Sequence, residues 1–505
     1  MKATLTPSET ERVFPHPLVA AIPIVVLIGL LVVAIKLFGS DSLSGASQLA
    51  LLMGTAVCVL LAMACYHVPW QAFERQLAKT MGGIFVTLMI LLSVGMLSGS
   101  WMVSGVVPTL IYYGVQMLSP RFFLVTACAI CALVSLLSGS SWTTIATIGV
   151  ALLAIGHALG ISEAWAAGAI ISGAYFGDKM SPLSDTTILA SSATRVDIFM
   201  HIRYMMHTTV PAMCIALVIF LVAGLGHDSS EAVNVEQYTL GLSSTFHISL
   251  WTLLVPVVTG VLIGRGVPSL IVLFVSSLLA GAMALVLQPH ILTLIAGEPS
   301  LTATSALARG LAISYFGPTA IDTGFAALND LVSTGGMAGM LNTIWLIICA
   351  MCFGAAMIAS GMIESITRVI ISWVRGRTSL VGSTVGTGLL LNATTGDQFI
   401  SIVLTADMFR DAYRHLGFES RLLSRTTEDA ATVTSVLVPW NTCGMTQSTV
   451  LGVPTLTYLP YCFFNLLCPL MTILVAALGW RITQRTTASN KTQSGQCQLT
   501  DDTEP

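Results

Sequence analysis

The run Gly177-Asp178-Lys179-Met180-Ser181-Pro182-Leu183-Ser184-Asp185-Thr186-Thr187 sets three charges and a proline inside a stretch otherwise built of membrane-helix residues. Apolar segments flank it on both sides, which places these groups at bilayer depth. A charge there is costly, and a helix break survives only where protein or a water-lined cavity satisfies the freed backbone groups. Such a segment reads as an ion-binding one. Three further polar segments share its character. They are Ser138-Gly139-Ser140-Ser141-Trp142-Thr143-Thr144, Asn392-Ala393-Thr394-Thr395-Gly396-Asp397-Gln398, and Glu428-Asp429 running on to Pro439-Trp440-Asn441-Thr442-Cys443-Gly444.

The residue types suit a small hard cation, which takes oxygen ligands from carboxylates, hydroxyls, amides and exposed carbonyls. Proline and glycine free such carbonyls, and half-helix ends add partial charge. A buried carboxylate trades cation for proton when burial and a nearby cation pull in opposite directions. Asp185, Asp397, Asp178 and Asp429 are therefore the candidate cation- and proton-binding residues, with Asp185 and Asp397 foremost as Na+ ligands. Ser141, Thr144, Ser184, Thr394 and Asn441 would supply neutral oxygens, and Lys179 would hold a carboxylate charged or stand in for the ion. Glu428 has a support role, with the competing reading that it starts a cytoplasmic helix and neutralises Arg425. Competing readings also make Asp178–Lys179 a structural pair, the Ser/Thr clusters ordinary helix–helix glue, and His157 a satisfied helix-end residue. Glu364 and Arg368 have the spacing of an ordinary helix pair.

The elements that must position these groups are membrane helices. Over 505 residues the chain is 55% hydrophobic and 9% charged, against about 25% charged in a soluble domain. Eleven cysteines lie mostly in apolar segments, where cysteine acts as a small hydrophobe. The Cys349/Cys352 spacing has no second ligand pair, so neither a disulfide framework nor a metal site is expected. Spans are expected at 18–38, 47–66, 82–103, 163–198, 206–226, 245–263, 267–288, 342–366, 430–453 and 456–480, each near the roughly 20 residues a helix needs. Two more apolar stretches, 121–160 and 378–410, are polar in the middle and read as hairpins that enter and leave on one side. The stretch 301–322, with Arg309, Gly317, Pro318 and Asp322, is expected to lie at the interface or dip in.

With the N-terminus inside, only Lys36, Arg121 and Arg309 fall outside and Lys179 within the membrane. The remaining seventeen of 21 Lys and Arg (21 − 4) are inside. The hairpins then enter from opposite faces. Weak self-similarity at an offset of 256, as in Ser104-Gly105 and Ser360-Gly361 (361 − 105), completes the picture. The expected fold is an all-α polytopic membrane protein of about 10–11 transmembrane helices plus two re-entrant hairpins, in two inverted-topology repeats with broken helices at the midplane. Residues 1–17 form a cytoplasmic tail and 18–226 a first repeat with hairpin 121–160 and broken helix 163–198. An external loop, 227–243, leads to a second repeat, 244–480, with hairpin 378–410 and broken helix 430–453. A disordered cytoplasmic tail, 481–505, follows. No phosphate-cradling loop, nucleophile elbow or nucleic-acid surface stands out.

The motifs from Gly177 to Thr187, Ser140-Ser141-Trp142-Thr143-Thr144, Leu423 to Asp429, Asp397-Gln398 and Val438 to Gly444 resemble the NhaC family of bacterial Na+/H+ antiporters, part of the ion-transporter superfamily. The resemblance extends over roughly residues 80–470. It implies a secondary transporter of the bacterial inner membrane rather than an enzyme, with scaffold and transport domains and often a homodimer. Na+ and H+ would be its transported ligands and the lipid bilayer its setting, with no resident cofactor. The family also includes exchangers similar to sodium- and proton-coupled malate/lactate antiporters, so a small carboxylate is the alternative cargo.

Overall fold

The computed structural model describes residues 14–38, 45–226, 235–298, 300–325, 328–329 and 332–482. The parts of the expected N-terminal tail before 14, of the expected external loop before 235 and of the expected C-terminal tail from 483 onward lie outside the described residues. What is described is helical, apart from one isolated bridge between Thr319 and Thr334. Eight helices among the described residues are long and apolar enough to cross a membrane, or ten if each of two bent pairs is one span.

The chain opens with α1 (Pro17–Phe38), α2 (Ala46–Tyr66) and α3 (Trp70–Val103). At 34 residues α3 is ~51 Å long, well beyond a ~30 Å hydrocarbon layer. Its first turns carry Glu74, Arg75 and Lys79, which is why hydropathy alone starts this span at 82. A short α4 (Val106–Met117), unforeseen in the sequence, follows Gly105. The first hairpin is α5 (Pro120–Ser138) and α6 (Ser141–Ala158), turning at Gly139 with φ +66°. Next come α7 (Glu163–Met180), a break, α8 (Asp185–Thr194) and the long α9 (Ile198–Leu225). Gly173 and Gly177 of α7 meet α5 so closely that a Cβ would lie 2.1 Å from the Cys128 carbonyl oxygen and 2.2 Å from that of Ala132. Small residues let these helices touch backbone to backbone, the usual membrane-core solution.

The second half repeats this order. After α10 (Val235–Thr245), α11 (Leu250–Gly264), α12 (Ser269–Leu287), α13 (Pro289–Ala296) and α14 (Ala303–Phe316), the chain enters α15 (Gly336–Ala359). At 14 residues α14 is ~21 Å long, too short to cross alone, and it packs beside α13 and α3. α15 bends at Ser360-Gly361 into α16 (Met362–Ser372), as α3 does at Ser104-Gly105 into α4. The second hairpin, α17 (Arg377–Thr395) and α18 (Gln398–His415), turns at Gly396 with φ +67°. Gly139 and Gly396 stand 257 positions apart (396 − 139), as do the helix-capping residues Ser184 and Asn441 (441 − 184).

The second broken helix corrects the expectation of 430–453. It begins ten residues earlier, as α19 (Ser420–Thr427), a π turn (Glu428–Thr432) and a 3-10 turn (Ser435–Leu437), and resumes after the break as α20 (Thr442–Leu451). Arg425, placed in an inner loop from its charge, is fully buried in this helix. The closing α21 (Thr455–Tyr461) and α22 (Phe463–Leu478) are bent by 56°. Partners are exchanged reciprocally between halves: α8 packs on α18, and α20 packs on α6. Such reciprocity is what a two-fold axis between the halves requires.

Candidate functional site

The two hairpin tips and the first broken helix meet at a cavity of about 320 Å³. Its walls come from α3 (Val86, Thr87, Ile90), the first tip (Ser140, Trp142, Thr143), the first break (Asp178, Asp185, Thr186) and the second tip (Gln398, Phe399). Gly139 must be glycine there. Its φ is left-handed, and a Cβ would lie 2.6 Å from the backbone carbon of Leu183. Ser140 then caps α6 by accepting from the Thr143 N–H. That turn aims the start of α6 at Asp178.

Asp178 is the best-held carboxylate of the cavity. Oδ2 accepts from the Ser141 N–H at 3.1 Å and the Ser141 hydroxyl at 2.6 Å, and Oδ1 accepts from the Ser184 hydroxyl at 2.6 Å. Ser184 also caps α8, so one side chain ties the break to the acid. Asp185, the next residue, lines the cavity from the first turn of α8. Both charged residues of the lining are acidic, and no Lys, Arg or His lines it among the described residues.

Other candidates stand apart from the cavity. Asp397 is not in its lining. It caps α18, accepting from the Ile400 N–H at 2.9 Å, with the Thr442 hydroxyl at 3.4 Å. Its neighbour Gln398 faces the cavity instead, and the Gln398 side-chain oxygen accepts from Ser435 at 3.3 Å. Thr144 donates to the Ser140 carbonyl at 2.9 Å and Thr394 to that of Leu390 at 2.8 Å, so both hydroxyls serve their own segments. Asn441 caps α20 and donates to the Asn392 carbonyl at 3.1 Å, bracing the second break against the second hairpin. His157 pairs with Glu163 at 3.1 Å, and Arg368 covers the Phe14 ring rather than pairing with Glu364. No cluster of three or more metal-ligating side chains occurs among the described residues, Cys349 and Cys352 included.

Lys179 turns away from Asp178 because adjacent helix residues do not share a face. Its Nζ makes a fully buried ion pair with Asp429, across 250 residues of sequence, and reaches the Cys468 Sγ at 3.2 Å. The other Asp429 oxygen accepts from the Thr208 hydroxyl at 2.8 Å. The pair therefore joins the two broken helices behind the cavity. Glu428 is also fully buried, and it does not neutralise Arg425: the two form no ion pair, and none of the Arg425 side-chain nitrogens has a hydrogen-bond partner among the described residues.

A model of the Na+/H+ antiporter family matches residues 173–480, from the first break to the last helix. The chain belongs to that family. A Na+/H+ antiporter NhaC of Alkalihalophilus pseudofirmus is 36% identical over 86% of this chain and 92% of its own length. A malate-2H+/Na+-lactate antiporter of Bacillus subtilis is 34% identical over 83% and 86%, respectively. An arginine/ornithine antiporter, ArcD, of Halobacterium salinarum is 34% identical over 92% of each chain. In this antiporter, sequence reasoning missed Thr208 and Cys468 around Asp429, and Thr87 on the cavity wall. A threonine or cysteine in an apolar helix carries no signal until its neighbour is known.

Proposed function

We propose that this antiporter exchanges internal Na+ or Li+ for external H+ by alternating access, with the cation seated in the cavity against Asp178 and Asp185. The observation that carries this reading is the cavity's charge: two carboxylates, donors committed to Asp178, and no basic side chain among the described lining residues. An anionic cargo would meet two carboxylates there, and Lys179, the cation nearest Asp178 in sequence, is held by Asp429. That weighs against a malate/lactate type of exchange. The cavity leaves room beyond one sodium ion, which favours an organic cation as the second reading over a carboxylate. Asp397 holds the second tip in register and serves the site through Gln398. In this reading both termini lie on the cytoplasmic side of a bacterial inner membrane, which the excess of Lys and Arg in the segments assigned inside supports.

The experiment uses proteoliposomes with a preset pH gradient. Na+ or Li+ is expected to dissipate the gradient, and malate is not. Collapse by ornithine but not by Na+ would move the cargo to the second reading, and silence with all of these would reject cation antiport.

A further inference from the structure

We propose that Glu428 is the proton-carrying site of the exchange, separate from the cavity where the metal cation binds. The inference rests on the cation reading of the cavity. Glu428 is completely buried and forms no ion pair among the described residues, and the Thr432 hydroxyl, one turn on, is the side-chain donor that acts on its carboxyl. It opens the π turn Glu428–Thr432, a rare backbone form that concentrates at functional positions. Lys179, Asp178 and Asp429 lie within electrostatic reach of it.

Glu428 forms no ion pair of its own among the described residues, and the ammonium that acts on it, Lys179, is shared. Lys179, from α7, is matched by Asp429, which also takes Thr208 from α9, while Cys468 of α22 touches both ends of the pair. Arg425, one turn earlier, lies over the Tyr204 ring with its centre 4.8 Å from the ring centroid. His201 of α9 is held at Ser424. From α17, Asn392 donates to the Ala431 carbonyl at 2.7 Å and adds no charge. An anion at Glu428 would be a second negative group on one ammonium, and a buried charge without full compensation is strongly disfavoured. A proton removes that cost.

The same charges couple the proton to the cavity. Asp178 adjoins Lys179 and Glu428 adjoins Asp429, so the buried ion pair brings the two acids to the same junction, and leaving both as bare anions beside one ammonium is unfavourable. A cation on Asp178 or a proton on Glu428 relieves the pair, and either one suffices. Exchange then follows without a shared ligand. The proton leaves Glu428 for water on one side and is regained from water on the other, with no bond other than O–H made or broken.

The test uses the full-length protein in proteoliposomes, as wild type, Glu428→Gln and Glu428→Asp. Two readouts are taken: counterflow of labelled Na+ against unlabelled Na+, and proton flux driven by a Na+ gradient. Glu428→Gln is expected to keep Na+ counterflow, at a lower apparent Na+ affinity because one coupled negative group is gone, and to lose the proton flux, and Glu428→Asp to retain both. Proton flux that survives in Glu428→Gln would overturn the proposal. So would loss of counterflow in both variants when their size-exclusion profiles match wild type. A wild type that shows neither activity would sink the cation reading itself, which separates the two failures.

Discussion

At the scale of single residues, the site divides its acids by what holds them. Asp178 is fixed by three donors and Asp429 by one ammonium, while Asp185 stands open to the cavity. Lys179→Ala should therefore cost about 3–5 kcal/mol, because it leaves Asp429 a buried, uncompensated charge. The double variant Lys179→Met/Asp429→Leu should recover most of that loss. Unfolding of the detergent-purified proteins by heat or denaturant checks both, and a double variant no better than the single one would refute a pairing role. The run 177–187 was legible in the sequence because charge inside apolar sequence is expensive. The pairing of Lys179 was not, since Asp178 and Lys179 adjoin in the chain and only the fold shows that they face different elements. Asp397 shows a related ambiguity. An aspartate at a hairpin tip reads as a ligand, but the same position is a helix N-cap, and the Ile400 N–H claims it.

The elements were legible wherever composition decided them. Both hairpins and the first break were readable from polar residues interrupting apolar stretches. The second broken helix was misplaced because Arg425, Glu428 and Asp429 look like loop charges, whereas the fold buries all three. α4 escaped notice because 12 residues are too few for a span signal. Between the two tips the structure makes a sharp distinction. Gly139 and Gly396 share a left-handed φ, so alanine at either costs about 1–2 kcal/mol in backbone strain. At Gly139 the new methyl also strikes the Leu183 backbone at 2.6 Å, while at Gly396 it meets Met351 Cε at 3.2 Å, the end of a flexible side chain. Gly139→Ala should thus lower the melting temperature more than Gly396→Ala. Equal shifts would mean that contact with the first break does not constrain the tip.

At the scale of the whole molecule, the account turns on two halves that exchange partners, α8 onto α18 and α20 onto α6, around one acid-lined cavity. Among the described residues a single ion pair, Lys179–Asp429, crosses between the broken helices of the two halves, so a rocking of one half against the other must carry or remake it. The repeat was faint in the sequence because few residues match at the fixed offset. In the structure it is plain, because backbone breaks and caps recur there even where side chains differ: Ser184 and Asn441 cap alike with different chemistry. The central claim is that Asp178 binds the transported cation. Its most direct measurement is the Na+ concentration dependence of labelled-Na+ counterflow in proteoliposomes, wild type against Asp178→Asn. A charge-assisted contact is worth roughly 1.5–3 kcal/mol, so the account predicts an apparent Na+ affinity lower by about tenfold or more. A variant that folds normally and binds Na+ as tightly as wild type would contradict it.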